Sequence, residues 1–140
     1  MPRGVRLAAA LGGAVKAKRL EINFDDAALD VAGLTAELAM GSLPAGAIVV
    51  GYDVDVEDDF VGCATCVVDL GDAGGAEYAD DIDLKSVARS SALVAIANSD
   101  GNGVAVTALV TATTNNLDQL TEGKATVSVL YLEAAEVKAK

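Results

Sequence analysis

From Lys16 onward the chain repeats a two-residue beat. Leu20, Ile22 and Phe24 alternate with Arg19, Glu21 and Asn23. A period of two places alternate side chains on opposite faces of an extended strand, so this segment is a strand with one buried face. Leu34, Ala36 and Leu38 repeat the beat more briefly around Thr35. Leu43-Pro44-Ala45-Gly46 is a turn, with Pro44 fixing φ and Gly46 free to go left-handed. After it Ile48, Val50, Tyr52, Val54 and Val56 fall on one face, with Val49, Gly51, Asp53, Asp55 and Glu57 on the other. Thr65 to Leu70 is almost continuously apolar and reads as a strand buried on both faces. Val94–Ala97 and Val104–Thr113 flank Asp100-Gly101-Asn102-Gly103, where Asp-Gly and Asn-Gly favour a hairpin turn. Ala125 to Leu132 closes the set, and only Asp83 to Ala92 suggests a helical turn. Six to eight short strands without alternating long helices define an all-β chain, a β-sandwich or jelly roll or a small barrel.

Size and composition fit that class. A single domain of 140 residues should bury roughly 68–70% of its unfolded surface. The apolar fraction is 52% but only 4% is aromatic, so the core is built from Ala, Val and Leu. Small branched side chains suit closely packed pleated sheets. No solenoid or propeller period is visible, and no apolar run approaches the ~20 residues of a membrane helix.

Charge divides the chain in two. Residues 1–20 hold Arg3, Arg6, Lys16, Lys18 and Arg19 and no acid, whereas Glu21 to Val137 holds 21 acids against three bases, a balance of −18. We read residues 1–15 as an extended basic N-terminal arm and 16–140 as the sandwich domain. An acidic body repels phosphate backbones, which argues against nucleic acid as a partner. A basic arm on such a body points to an acidic protein neighbour, another copy included; the alternative is a tail whose charge serves solubility. Leu7 to Val15 loosely imitates a secretory signal, but no small-x-small cleavage site follows and Lys16 comes at once, so a signal peptide is not expected.

Candidate chemistry is sparse. There is no His, the commonest general base and metal ligand, and no Gly-x-Ser-x-Gly. Cys63 and Cys66 lack the further ligands of a zinc site. On an extended strand two cysteines three apart face opposite ways at about 10 Å, too far to bridge; two buried thiols are expected. Acids cluster at Asp53, Asp55, Glu57, Asp58 and Asp59 and at Asp80, Asp81 and Asp83. Such groups could bind calcium or do acid–base work on a glycoside, but aromatic sugar platforms are few and solvated faces explain the acids more simply. Asp100 opens part of a calcium loop, yet Thr111 stands at its twelfth position where a Glu is needed. We expect no catalytic residues, no metal and no cofactor.

A family resemblance adds to this. Leu20-Glu21-Ile22-Asn23-Phe24-Asp25, then Leu43-Pro44-Ala45-Gly46-Ala47-Ile48-Val49-Val50-Gly51, Val67-Val68-Asp69-Leu70-Gly71-Asp72, Asp81-x-Asp83-Leu84-Lys85 and Ala125-Thr126-Val127-Ser128-Val129-Leu130-Tyr131 together resemble small virion proteins of tailed bacteriophages. The resemblance implies a jelly-roll or β-sandwich capsid decoration (cement) protein, carried on the virion exterior after synthesis in the host cytoplasm. Its partners would be the major capsid protein and copies of itself, a trimer above all, with no membrane. It brings no catalytic residues. The candidate contacts to capsid or subunit are then the arm residues Arg3, Arg6, Leu7, Leu11, Lys16, Lys18 and Arg19. The alternatives are a head-fibre, tail or baseplate component, or a calcium-dependent glycan-binding β-sandwich.

Overall fold

Alternating apolar residues need a second apolar layer to bury against, and here two sheets supply it to each other. The computed structural model describes residues 15–44, 47–72, 75–93 and 105–132. Among them lie β1 (Val15–Asn23), β2 (Thr35–Ser42), β3 (Ile48–Val61), β4 (Thr65–Asp72), β5 (Ala79–Asp83), β6 (Ala88–Leu93), β7 (Ala105–Thr113) and β8 (Glu122–Leu132), with 3-10 turns at Ala27–Leu29 and Leu117–Gln119. One sheet has the order β1-β8-β3-β6 and the other β2-β7-β4-β5. Every pairing is antiparallel. β1 pairs β8, β2 pairs β7, β3 pairs β6 and β4 pairs β5. The chain is thus one long hairpin, turning between β4 and β5 and wrapped into two layers, which is the jelly-roll form of the β-sandwich.

The core lies between the layers. Ile22 of β1, Val54 and Val56 of β3, and Ala125, Val127 and Val129 of β8 meet Cys66, Val68 and Leu70 of β4 and Val106, Ala108 and Val110 of β7, all nearly inaccessible to solvent. Phe60 and Leu84 are fully buried with them, and the Phe60 N–H donates to Leu84 O at 3.0 Å. Burying an aromatic side chain such as Phe60 contributes about 1.5–3 kcal/mol.

Three local expectations are corrected. The expected buried face of β3 is broken by a bulge: its register with β8 skips Val50 between Val49 and Gly51. Val49 is therefore buried while Ile48 is 45% exposed, because an inserted residue reverses the faces of those before it. β4 is buried on one face only; Val67 and Asp69 are half-covered. Asp83 to Ala92 is not a helical turn, since β6 occupies much of it and pairs with β3. The hairpin expected at Asp100-Gly101 and Asn102-Gly103, with its strand Val94–Ala97, lies outside the described residues; the described β6 and β7 belong to different sheets. The turn after Leu43 is closed by the Ala47 N–H donating to Pro44 O at 3.1 Å.

Candidate interaction surface

Directly paired residues project to the same face of a sheet, so the registers lay out the outer face of β1-β8-β3-β6 as rows. The first row is Val15, Leu132 and Ile48, and the second is Ala17, Leu130, Gly51 and Leu93. The third is Arg19, Ser128, Asp53 and Ser91, and the fourth is Glu21, Thr126, Asp55 and Arg89. Asn23, Lys124 and Asp58 follow. The face is split: two apolar rows at one end, charged rows at the other. Leu93 is 88% exposed and Val15 42%, and a shallow hollow of about 340 Å³ opens between Tyr52, Leu93 and Leu130.

The charged rows are largely cross-linked. Arg89 donates through Nε to Asp53 Oδ1 and through Nη2 to Asp53 Oδ2, both at 2.9 Å, tying edge strand β6 to β3. The hydrogen bond and charge of Asp53 raise the Arg89 pKa above its usual value. Lys124 Nζ lies 3.6 Å from Glu21 Oε2 and 3.8 Å from Glu57 Oε2, and Thr126 Oγ1 donates to Glu57 Oε1 at 3.0 Å. Three cations (Arg19, Arg89, Lys124) thus stand among five carboxylates (Asp53, Asp55, Asp58, Glu21, Glu57), leaving an acidic excess.

Of the arm residues singled out from sequence, Arg3, Arg6, Leu7 and Leu11 lie outside the described residues. Lys16, Lys18 and Arg19 belong to β1 and are paired with Tyr131, Val129 and Ser128. Arg19 Nε donates to Ser128 Oγ at 3.4 Å on the outer face. Lys18 has the opposite direction: its stem and ammonium lie 3.5–3.7 Å from where a Cβ on Gly41 of β2 would stand. An inward charge on an edge strand deters further strands from adding there.

The acids expected at Asp80, Asp81 and Asp83 assemble differently. Asp69 of β4, Asp80 and Asp81 bring carboxylate oxygens within 4.8 Å of one another. The Asp81 N–H donates to Asp69 Oδ1 at 2.6 Å. The charge of Asp81, slight desolvation and the nearby Asp69 raise the Asp80 pKa. Asp83 is turned away and accepts from the Lys85 N–H at 2.9 Å. Sequence spacing missed Asp69 because it arrives from a neighbouring strand; its one signal is an acid interrupting Val67-Val68-Asp69-Leu70. Above the cluster, Val54, Val56 and Ile82 line a cleft of about 260 Å³ between β3 and β5.

Cys63 and Cys66 are free and buried, as expected. The Cys63 thiol donates to Asn116 O at 3.5 Å. Burial, with the neighbouring Cys63 adding to it, pushes the Cys66 thiol up to about 12, so neither redox exchange nor nucleophilic attack is favoured there.

The jelly roll that the described residues form in eight strands is a fold also seen in phage capsid structures. A chain in the cyanophage Pam1 capsid asymmetric unit shares it at 24% identity, over 84% of this chain and 84% of that one, with a TM-score of 0.57. A chain in the acidic stable capsid structure of Helicobacter pylori bacteriophage KHP30 shares it at 14% identity, over 86% and 88%, with a TM-score of 0.50. No family model and no curated protein matches the sequence.

Proposed function

We propose that this protein is a non-catalytic capsid decoration (cement) protein of a tailed phage, carried on the outside of the shell. The observation that supports it most is the likeness to a chain of a phage capsid asymmetric unit over equal shares of both chains, which makes the two about equal in length. A short, single-sandwich chain suits an added subunit of a shell. The decorating unit is a trimer that binds the major capsid protein, and the arm residues Arg3, Arg6, Leu7 and Leu11 supply contacts to capsid or to a neighbouring subunit. Symmetry multiplies each weak contact across the lattice, and linked contacts raise one another's effective concentration. Stabilisation of the shell then needs geometry and charge rather than chemistry.

The test is a heat challenge of capsids with and without bound protein, followed by light scattering or release of the packaged genome. Decorated capsids should open at a temperature several degrees higher. Capsids that carry the protein yet open at the same temperature would sink the cement role.

A further inference from the structure

We propose that the apolar end of the outer face of β1-β8-β3-β6 is the seat for residues 1–14 of a second copy of this chain. This rests on the reading of the protein as a self-assembling module and names the contact that assembles it. The first ground is the face itself. Val15, Leu132 and Ile48, then Ala17, Leu130 and Leu93, form an apolar field on an otherwise charged sheet, and a field left open to water marks a contact surface.

The second ground is where the remaining chain begins. Residues 1–14 join the body at Val15, within the first apolar row. Counted away from Val15, that segment presents Leu11, Ala10, Ala9, Ala8 and Leu7, then Arg6 and Arg3. Counted away from the same row, the face presents its apolar residues first, then Asp53, Asp55 and Glu57. Apolar meets apolar and basic meets acidic in one order. Charge adds a reason for the arm to bridge copies: acid-rich bodies repel one another, and a basic segment offsets that repulsion.

The third ground is direction and reach. Val15 pairs with Leu132, the last residue of β8, so β1 followed back to its start points past the end of its own sheet. An arm that continues that direction meets a neighbouring copy, whereas lying on its own face needs the chain to reverse. Fourteen extended residues span up to about 46–50 Å, enough to cross the rows of an adjacent sheet.

Two measurements test the proposal. Leu11→Cys chains are mixed with mass-tagged Leu130→Cys chains under mild oxidation; native Cys63 and Cys66 are buried and do not compete. A disulfide between the two different chains is expected. A Leu11→Cys/Leu130→Cys chain that bridges only within itself, as an arm folded onto its own sheet would, or no bridge at all, overturns the proposal. Sedimentation velocity of the full chain, of Leu93→Asp and of a chain lacking residues 2–14 should show at least tenfold weaker self-association in both variants. Leu93 is almost fully exposed, so unchanged circular dichroism is expected for its substitution. Equal association in all three, or a full chain that stays monomeric at high concentration, overturns the proposal. A protein that bridges in this way but does not bind capsids leaves the proposal standing and removes the decoration reading. One that coats capsids as a monomer does the reverse.

Discussion

Gly123→Ala should be among the most damaging single-methyl changes in this protein. Gly123 sits in β8 at φ +148°, a region essentially closed to residues with a Cβ, and occupying it costs an alanine about 1–3 kcal/mol. Space is the second obstacle. A Cβ there would stand 2.5 Å from Cγ and Cδ2 of Phe60, about an ångström inside ordinary contact. The ring has nowhere to retreat: Phe60 is fully buried, and its N–H is held by Leu84 O at 3.0 Å. Overpacking a filled core costs about 1–3 kcal/mol more. The sum, about 2–6 kcal/mol, is a large share of the 5–15 kcal/mol that holds a typical domain together. Urea denaturation followed by circular dichroism should show that loss with an unchanged m-value. In a Phe60→Leu background the steric part should vanish, leaving a coupling of about 1–3 kcal/mol between the two positions. A cost below about 1 kcal/mol, or the same cost in both backgrounds, would refute the reasoning that ring and glycine form one unit.

Other expectations follow from the same structure. Because its neighbours raise the Asp80 pKa, the folded state holds that proton more tightly than the unfolded chain. Stability should therefore fall as pH rises from the ordinary carboxylate range through the raised value; Asp80→Asn should flatten that part of a pH series of denaturation midpoints, and an unchanged slope would contradict it. Lys85 Nζ donates to Cys63 O at 2.7 Å and Phe60 O at 3.3 Å, so Lys85→Met should cost about 1–3 kcal/mol by stripping partly buried carbonyls of their donor, read by thermal unfolding. With the Cys66 thiol pushed up to about 12, native protein should react with iodoacetamide at neutral pH far more slowly than urea-unfolded protein. Equal rates would show that the thiol is not sheltered.

What the sequence reveals depends on how local the cause is. β1 from Arg19 and β8 from Ala125 are legible as strands, because apolar residues recur at every second position, with Ile22, Val127, Val129 and Tyr131 buried. β3 is legible as a strand, and in its facing from Tyr52 to Val56, but not before them, since the bulge at Val50 is imposed by pairing with β8 and leaves no mark in the side-chain pattern. β6 was misread because an edge strand exposed over most of its length has no face to encode. The Asp-Gly and Asn-Gly pairs signal a turn, but not that the described β6 and β7 belong to different layers. Pairings such as β1 with β8 join residues more than a hundred positions apart, as between Val15 and Leu132, so strand order follows from assembly of the whole. The candidate surface suffers in the same way: Leu130, Leu93 and Ile48 are unremarkable in sequence and become a field only when three strands align them.

The most direct test of the central claim is co-sedimentation of the purified protein with expanded capsids that lack it, quantified per particle. The proposed role predicts saturable binding at a copy number equal to three chains for each local three-fold position of the lattice. No binding, or a few copies per particle, would contradict it and direct attention to the tail, the fibres or the host surface.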